Sequence, residues 1–330
     1  MQVVRLEPLT GGGDPVVDPV VDPAVDPGKT AGAVVALGNF DGLHLGHQAL
    51  FAAVRDLAAR LGGLPTGAVT FEPHPVRVLA PQLAPPLILR DDEKAAGIAA
   101  LGLDVLFVVP FSPALAALSP RAFCQQVLVD GLHVAGVVVG EGFKFGARAG
   151  GRLSDLQAVF GDRAVEVPSV RVGGYVCSSS KIRELVLQGH VEAAATLLGH
   201  LYQIEGEVVR GDGRGRTIGI PTANVESKRE LLPRVGVYAT RAVLDDGRVI
   251  PSVTNVGLRP TFQGEGVRVE AHLFDFDGDL YGRRLRLDVV ARLRDEKRFN
   301  GVEALIAQIH DDITAARALL APADGTDRPW

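Results

Sequence analysis

A chain of 330 residues, 47% hydrophobic and 22% charged, is long enough for two domains with real cores. A formal net charge of −5 argues against non-specific nucleic-acid binding, so an anionic ligand needs a locally basic pocket and no nucleic-acid partner is expected. No apolar run spans a bilayer, Met1–Leu6 lacks a signal peptide's apolar core, and Cys124 and Cys177 stand far apart, so a cytoplasmic protein without membrane partner, disulfide framework or zinc site is expected.

Residues 1–30 read as an N-terminal strand and an insertion in which Asp-Pro recurs at Asp14-Pro15, Asp18-Pro19, Asp22-Pro23 and Asp26-Pro27. Proline at every fourth residue forbids a regular helix, so the insertion is expected to be extended and solvated. Pro27-Gly28-Lys29-Thr30 imitates the end of a phosphate-binding P-loop, but Pro23 holds the first glycine position and no strand precedes it.

From Ala31 the pattern alternates between strand and helix. Strands are expected at 33–37, 67–71, 104–109, 134–139 and 164–168, with helices near 43–60, 92–101 and 120–130. That alternation predicts an α/β, Rossmann-like domain over 31–186, with ligands beyond the C-terminal ends of parallel strands. The string Gly38-Asn39-Phe40-Asp41-Gly42-Leu43-His44-Leu45-Gly46-His47 occupies one such end, between the first buried strand and a helix. Unpaired N–H groups and the helix dipole favour an anion there, and His44 and His47, three residues apart, share a helix face. Together they suit a triphosphate. Three further segments accompany it: Phe71-Glu72-Pro73-His74-Pro75, Gly140–Gly146, and Ser178-Ser179-Ser180-Lys181-Ile182-Arg183 at a later helix start. Gly140, Gly142 and Gly146 form a loose dinucleotide fingerprint, but a loop follows where a helix is required.

A linker is expected at 187–200 and a second domain at 201–322, with a tail at 323–330. Strand-like stretches at 202–209, 236–244, 248–256, 267–275 and 283–292 predict a small antiparallel β-barrel, with Asp246-Gly247 as a hairpin turn. A helix from Gly301 to Leu320 closes it, Val302, Leu305, Ile306, Ile309 and Ile313 recurring at helical spacing and Asn300 with Glu303 resembling a capping pair. In Gly213–Asn224, the glycines Gly213, Gly215 and Gly219 let backbone approach phosphate, while Thr222 and Asn224, after Pro221, offer oxygens suited to Mg²⁺. Strict alternation along Val267–Phe274 puts Glu270 and His272 on one face. Asp275, Asp277 and Asp279 imitate a calcium loop, but its twelfth position is Arg286.

In this order the segments resemble the bacterial bifunctional riboflavin kinase/FAD synthetase family. The resemblance implies that the N-terminal domain transfers AMP from ATP to FMN, releasing pyrophosphate. It puts His44 and His47 on the ATP phosphates, lines the nucleotide turn with Gly38, Asn39, Phe40 and Gly46, and closes Ser178, Ser179 and Arg183 over the phosphates. Phe71, Pro73 and His74 would lie towards FMN. In the C-terminal domain it implies that Glu270 is the general base for phosphorylation of riboflavin by MgATP, with ATP on Gly213, Gly215, Gly219, Pro221, Thr222 and Asn224. Arg294, Lys297 and Phe299 would form a flap near the flavin. The implied ligands are riboflavin, FMN, FAD and ATP or ADP, with Mg²⁺ needed for both steps; self-association is left open. Two alternatives stand beside this: a kinase whose adenylyltransferase site is weakened by Gly142, and a non-catalytic flavin- or nucleotide-binding regulator.

Overall fold

The structure, a computed structural model, describes residues 1–6, 30–211, 213, 215, 218–261 and 264–321. The Asp-Pro stretch and the expected tail lie outside these residues, as do Arg214, Arg216 and Thr217 of the glycine-rich loop. The chain divides into two compact units, Met1–Arg171 and Val172 onwards.

The first unit runs β1 (Gln2–Arg5), β2 (Val34–Leu37), α1 (Leu45–Arg60), β3 (Thr66–Glu72), α2 (Pro75–Leu79), α3 (Asp91–Ala100), β4 (Val105–Pro110), α4 (Pro113–Ala117), α5 (Pro120–Ala122), β5 (Gly136–Gly140), α6 (Leu153–Phe160) and β6 (Ala164–Val167). The strands form one sheet in the order β1-β4-β3-β2-β5-β6, every pair parallel. Central strands of such a sheet are covered on both faces, which is why β2 reads Val-Val-Ala-Leu and is buried throughout. From β2 the chain steps one way to β3 and β4, then returns to the other side of β2 for β5. The C-terminal ends of β2 and β5 therefore flank a topological switch point, where such sheets bind ligands.

The helix expected at 120–130 is instead α5 followed by a π-helical run, Phe123–Gly131. The wider turn, with Leu132 N–H bonded to Val127 O, packs Phe123, Cys124, Val127 and Leu128 into the sheet core. The edge strand β1, which pairs with β4, supplies Val4 to the same core.

The second unit begins with the short strand β7 (Tyr175–Val176), then α7 (Ser179–Gln188) and α8 (Val191–Leu198), the last occupying most of the expected linker. Gly189 (φ 83) and Gly199 (φ 79) end these helices in the left-handed conformation that glycine adopts without strain. Six strands follow: β8 (Tyr202–Val209), β9 (Ala223–Ser227), β10 (Gly236–Leu244), β11 (Val249–Thr261), β12 (Gly264–Leu273) and β13 (Arg284–Arg294). They close an antiparallel barrel in the order β9-β12-β11-β10-β13-β8.

Strand β9, Ala-Asn-Val-Glu-Ser, is absent from the expected set because five half-polar residues give a weak periodic signal. Helix α9 (Val302–Leu320) packs Ile313, Ala316 and Leu320 against Val237, Ala239, Val253 and Phe274. The expected Asn300–Glu303 cap does not form: Gly301 holds the N-cap position at φ 153 and no side chain caps the helix. Among the described residues no helix is long and apolar enough to cross a membrane.

Candidate active sites

In the first unit, β2 runs into a turn in which Phe40 (φ 50), Gly42 (φ 98) and Leu43 (φ 45) all take left-handed backbone. Gly38 is tied to the sheet by its N–H to Val69 O, and a Cβ there would lie 3.0 Å from the buried Phe40 ring. Asn39 O accepts the Thr70 hydroxyl at 3.3 Å.

Helix α1 starts two residues later than expected, which makes His44 its N-cap. The His44 Nδ1 accepts the His47 N–H at 3.3 Å. An accepting Nδ1 leaves the proton on Nε2, so His44 presents an N–H donor. Gly46 and His47 stand in the first turn. The two imidazoles stack, with centroids 3.6 Å apart and planes at 18°, and Phe40 meets His47 edge-on at 5.3 Å. Burial, reinforced by His44 alongside, pushes the His47 imidazole well below its usual value and keeps it neutral. Its Nδ1 is buried without a hydrogen-bond partner among the described residues. Two stacked imidazoles at a helix N-terminus can direct N–H donors at phosphate oxygens.

Phe71 lies at the end of β3, beside Phe111 and Phe123, with centroids 6.0 and 6.3 Å away. Pro73 follows, and His74 caps α2 by accepting the Val76 N–H at 3.3 Å. After β5, Gly142 takes φ +70, where a side chain would be strained, and its N–H donates to Glu166 at 3.1 Å. The Glu141 carboxylate accepts the Ser169 N–H at 3.1 Å, which lowers its pKa. Glycine at 142 thus has a backbone reason. Ser178, Ser179 and Arg183 fall in the second unit. Ser178 caps α7 through the Lys181 N–H (3.3 Å), Ser179 opens the helix, and Arg183 is buried.

The barrel unit holds a cavity of about 590 Å³ lined by Gly213, Gly215, Thr222, Glu270, Arg294, Lys297 and Phe299, together with Arg268, His272 and Asn255. The glycine-rich loop, strands β10, β11 and β12, the 294–299 segment and α9 thus line one space. The expected Gly219, Pro221 and Asn224 lie outside its lining. Gly219 (φ 78) turns the loop, Pro221 O meets His272 Nδ1 at 2.8 Å, and Asn224 Oδ1 accepts Arg268 Nε at 3.0 Å. Backbone register places Asn224 and Asn255 on either side of Glu270. Arg268 Nε also lies 3.4 Å from the Glu270 carboxylate. A Cβ at Gly211 would come within 2.3 Å of the Asn224 amide, and one at Gly215 within 2.3 Å of Ile220 O. Both glycines are therefore set by close approach.

Arg294 makes a bidentate pair with Asp312 at 2.8 and 2.7 Å. Gln308 donates to the same carboxylate at 2.9 Å and accepts from Lys297. Arg294 and Lys297 both lie over the Phe299 ring, at 5.9 and 5.4 Å. The segment 294–299 is thus fastened to α9, while Val302, Leu305 and Ile309 of that helix give the cavity an apolar wall. Arg268 and Asp312 are absent from the expected site residues. Period-two alternation puts Arg268 on the face of Glu270, and Asp312 interrupts the stripe Leu305, Ile309, Ala316, Leu320.

Comparison with known families finds one family model for each part of the chain, the first ending inside the second unit. The family model described as FAD synthetase matches residues 26–181, and that described as riboflavin kinase matches 198–320. Proteins named bifunctional riboflavin kinase/FMN adenylyltransferase are similar over nearly the whole chain. That of Pseudomonas fluorescens is 39% identical, covering 88% of this chain and 94% of its own length; that of Escherichia coli K12 is 38% identical, covering 86% and 92%. The Bacillus subtilis relative is 40% identical, covering 86% and 91%. A crystal structure described as a macrolide-efflux protein from Streptococcus pneumoniae matches with a TM-score of 0.79 and 32% identity, over 87% of this chain and 94% of that one. With a nucleotidyltransferase-type sheet, a flavokinase-type barrel and relatives matched almost end to end, the chain belongs to the bifunctional riboflavin kinase/FMN adenylyltransferase family.

Proposed function

We propose a division of labour between the two sites. The chain phosphorylates riboflavin with ATP to give FMN and ADP, and adenylylates FMN with a second ATP to give FAD and pyrophosphate. Phosphorylation belongs to the barrel cavity. Glu270 accepts the proton of the riboflavin 5′-hydroxyl as that oxygen attacks the γ-phosphorus and ADP departs. Arg268 beside it steadies the carboxylate, and backbone N–H groups of the Gly213–Gly219 loop receive the ATP phosphates. Thr222 and Asn224 supply neutral hard oxygens. Thr222, in the cavity wall, and Asn224, whose Oδ1 also accepts Arg268 Nε, would hold Mg²⁺ through those oxygens. When bound, that ion supplies neutralisation of phosphate charge. Lys297 and Phe299, held over α9, close on the flavin.

Adenylyl transfer belongs to the first unit. ATP phosphates meet the α1 N-terminus, the His44 Nε2–H and neutral His47, while Gly38, Asn39 and Phe40 shape the turn and Phe71, Pro73 and His74 lie towards FMN. The FMN phosphate oxygen attacks the α-phosphorus, and pyrophosphate leaves. Relief of repulsion between two anions, with in-line placement, is the chemistry required. Ser178, Ser179 and Arg183 are assigned to this activity by the family motif alone.

One observation carries the reading: a single cavity gathers the glycine loop, Thr222, Glu270 and the 294–299 segment. The test is incubation with riboflavin and MgATP followed by chromatographic separation of flavins. FMN and then FAD are expected, and Glu270→Gln should block FMN synthesis while sparing conversion of added FMN. FMN without FAD from the native protein refutes the second activity, and unchanged FMN synthesis by Glu270→Gln refutes the base.

A further inference from the structure

Asp41 lies inside the Gly38–His47 string, yet its carboxylate is 2% exposed and turned away from solvent. Its Oδ1 accepts the backbone N–H groups of Ile88 and Leu89 at 2.9 and 3.0 Å, and Oδ2 accepts Ile88 again at 3.1 Å. Ile88 and Leu89 stand in the irregular strap ahead of α3 and are themselves buried. Their N–H groups need acceptors, and the buried carboxylate needs donors. A second contact joins the same pieces. Leu43 packs so closely on α3 that a Cβ at Gly97 would lie 2.3 Å from its Cδ1.

The turn gripped at these two points is an unfavoured one. Phe40 and Leu43 hold positive φ on either side of Asp41 and Gly42. Bulky residues keep such backbone only where the surroundings over-determine it. Phe40 then abuts His47, and Leu43 leads directly into the N-cap His44. The turn therefore sets where both imidazoles and the first helical N–H groups point.

We propose that Asp41 is a positioning residue for adenylyl transfer, fixing the phosphate-binding turn by anchoring it to the backbone of Ile88 and Leu89. The proposal rests on the assignment of the Gly38–His47 turn to ATP. It gives the aspartate of this motif work that involves neither proton nor metal. Asp41 holds the frame that aims His44 and His47, and a shift of that frame is felt at the α-phosphorus.

Riboflavin kinase activity of the same chain is the internal control. Asp41→Ala leaves two buried N–H groups without their acceptor. Its kcat/KM for FMN adenylylation should fall about a hundredfold, the cost of a displacement near 1 Å in a reacting geometry. Kinase kcat/KM should stay within about twofold, the barrel being a separate unit. Asp41→Asn keeps one acceptor oxygen for both N–H groups and loses the second bond to Ile88. It should recover all but about tenfold, the worth of one charge-assisted hydrogen bond. The loss should appear chiefly in kcat, with the first unit of Asp41→Asn as resistant to limited proteolysis as the native one. Wild-type adenylylation by both variants overturns the proposal, as does equal loss of both activities in Asp41→Asn. His44→Ala/His47→Ala tests the underlying assignment: if that variant still makes FAD, the assignment itself fails, whatever the Asp41 variants do.

Discussion

The Arg294–Asp312 pair gives the sharpest test of how the 294–299 segment is held. Asp312 keeps 6% and Arg294 20% of its side chain exposed, and two bonds of 2.8 and 2.7 Å join them. Truncation to Arg294→Ala leaves a buried carboxylate with one remaining side-chain donor among the described residues, Gln308 at 2.9 Å. Breaking such a pair costs about 3–5 kcal/mol, and the partial exposure of Arg294 argues for the lower end, about 3 kcal/mol. Replacing both partners by apolar residues of similar size removes the uncompensated charge. Arg294→Met/Asp312→Leu should therefore lie within about 1 kcal/mol of the native stability, about 2 kcal/mol or more above Arg294→Ala. The assay is hydrogen exchange on β13 and α9, which reports this unit without assuming two-state unfolding of the whole chain. In parallel, KM for riboflavin should rise in Arg294→Ala while adenylylation of added FMN is unchanged, because Lys297 and Phe299 lose the neighbour that orders them. A cost below about 0.5 kcal/mol would place the pair with ordinary surface ion pairs and refute the reasoning.

Two further expectations concern single residues. Burial lowers the pKa of His47 well below 6.5, so the unfolded chain binds its proton first as pH falls. The stability of the first unit should be full above pH 6.5 and decline below it, and His47→Gln should flatten that decline in thermal midpoints measured from pH 7 to 5; equal slopes would contradict a buried neutral imidazole. Gly211→Ala drives a Cβ to 2.3 Å from the Asn224 amide, so kinase kcat/KM should fall about tenfold or more with adenylylation unaffected. Retention of kinase activity would show that Asn224 can move without consequence.

The alternating βα pattern was readable because buried parallel strands are continuous apolar runs, as in Val34–Leu37 and Val105–Val109. Hairpin turns and period-two strands made the barrel equally plain. What escaped were elements whose identity is tertiary. β9 is a strand because its neighbours β8 and β12 supply the ladder, not because Asn-Val-Glu alternates strongly. The π-helical run at 123–131 keeps an apolar surface that an α-helix would also show, so no sequence period distinguishes the two. The missing cap at Asn300 has a different cause. Gly301 takes the N-cap place, and a one-residue shift is enough to remove a capping pair.

The same division runs through the sites. Residues whose side chains face a ligand-sized space, such as Thr222, Glu270, Lys297 and Phe299, were legible because polar or aromatic types in a glycine-rich or alternating context have few other reasons to be there. Asp41 and Asp312 were harder to see because their carboxylates are used on the protein itself, one on backbone N–H groups and the other on Arg294. Both nevertheless left a trace. Asp41 sits between residues of positive φ in a string that otherwise needs no acid, and Asp312 occupies an apolar stripe position on α9. An acid where the periodicity calls for a hydrophobe must be neutralised by a partner, and the cation to search for lies on the element that the stripe covers. Applied to α9, that rule leads from Asp312 to β13 and Arg294, and so to the 294–299 segment that lines the barrel cavity.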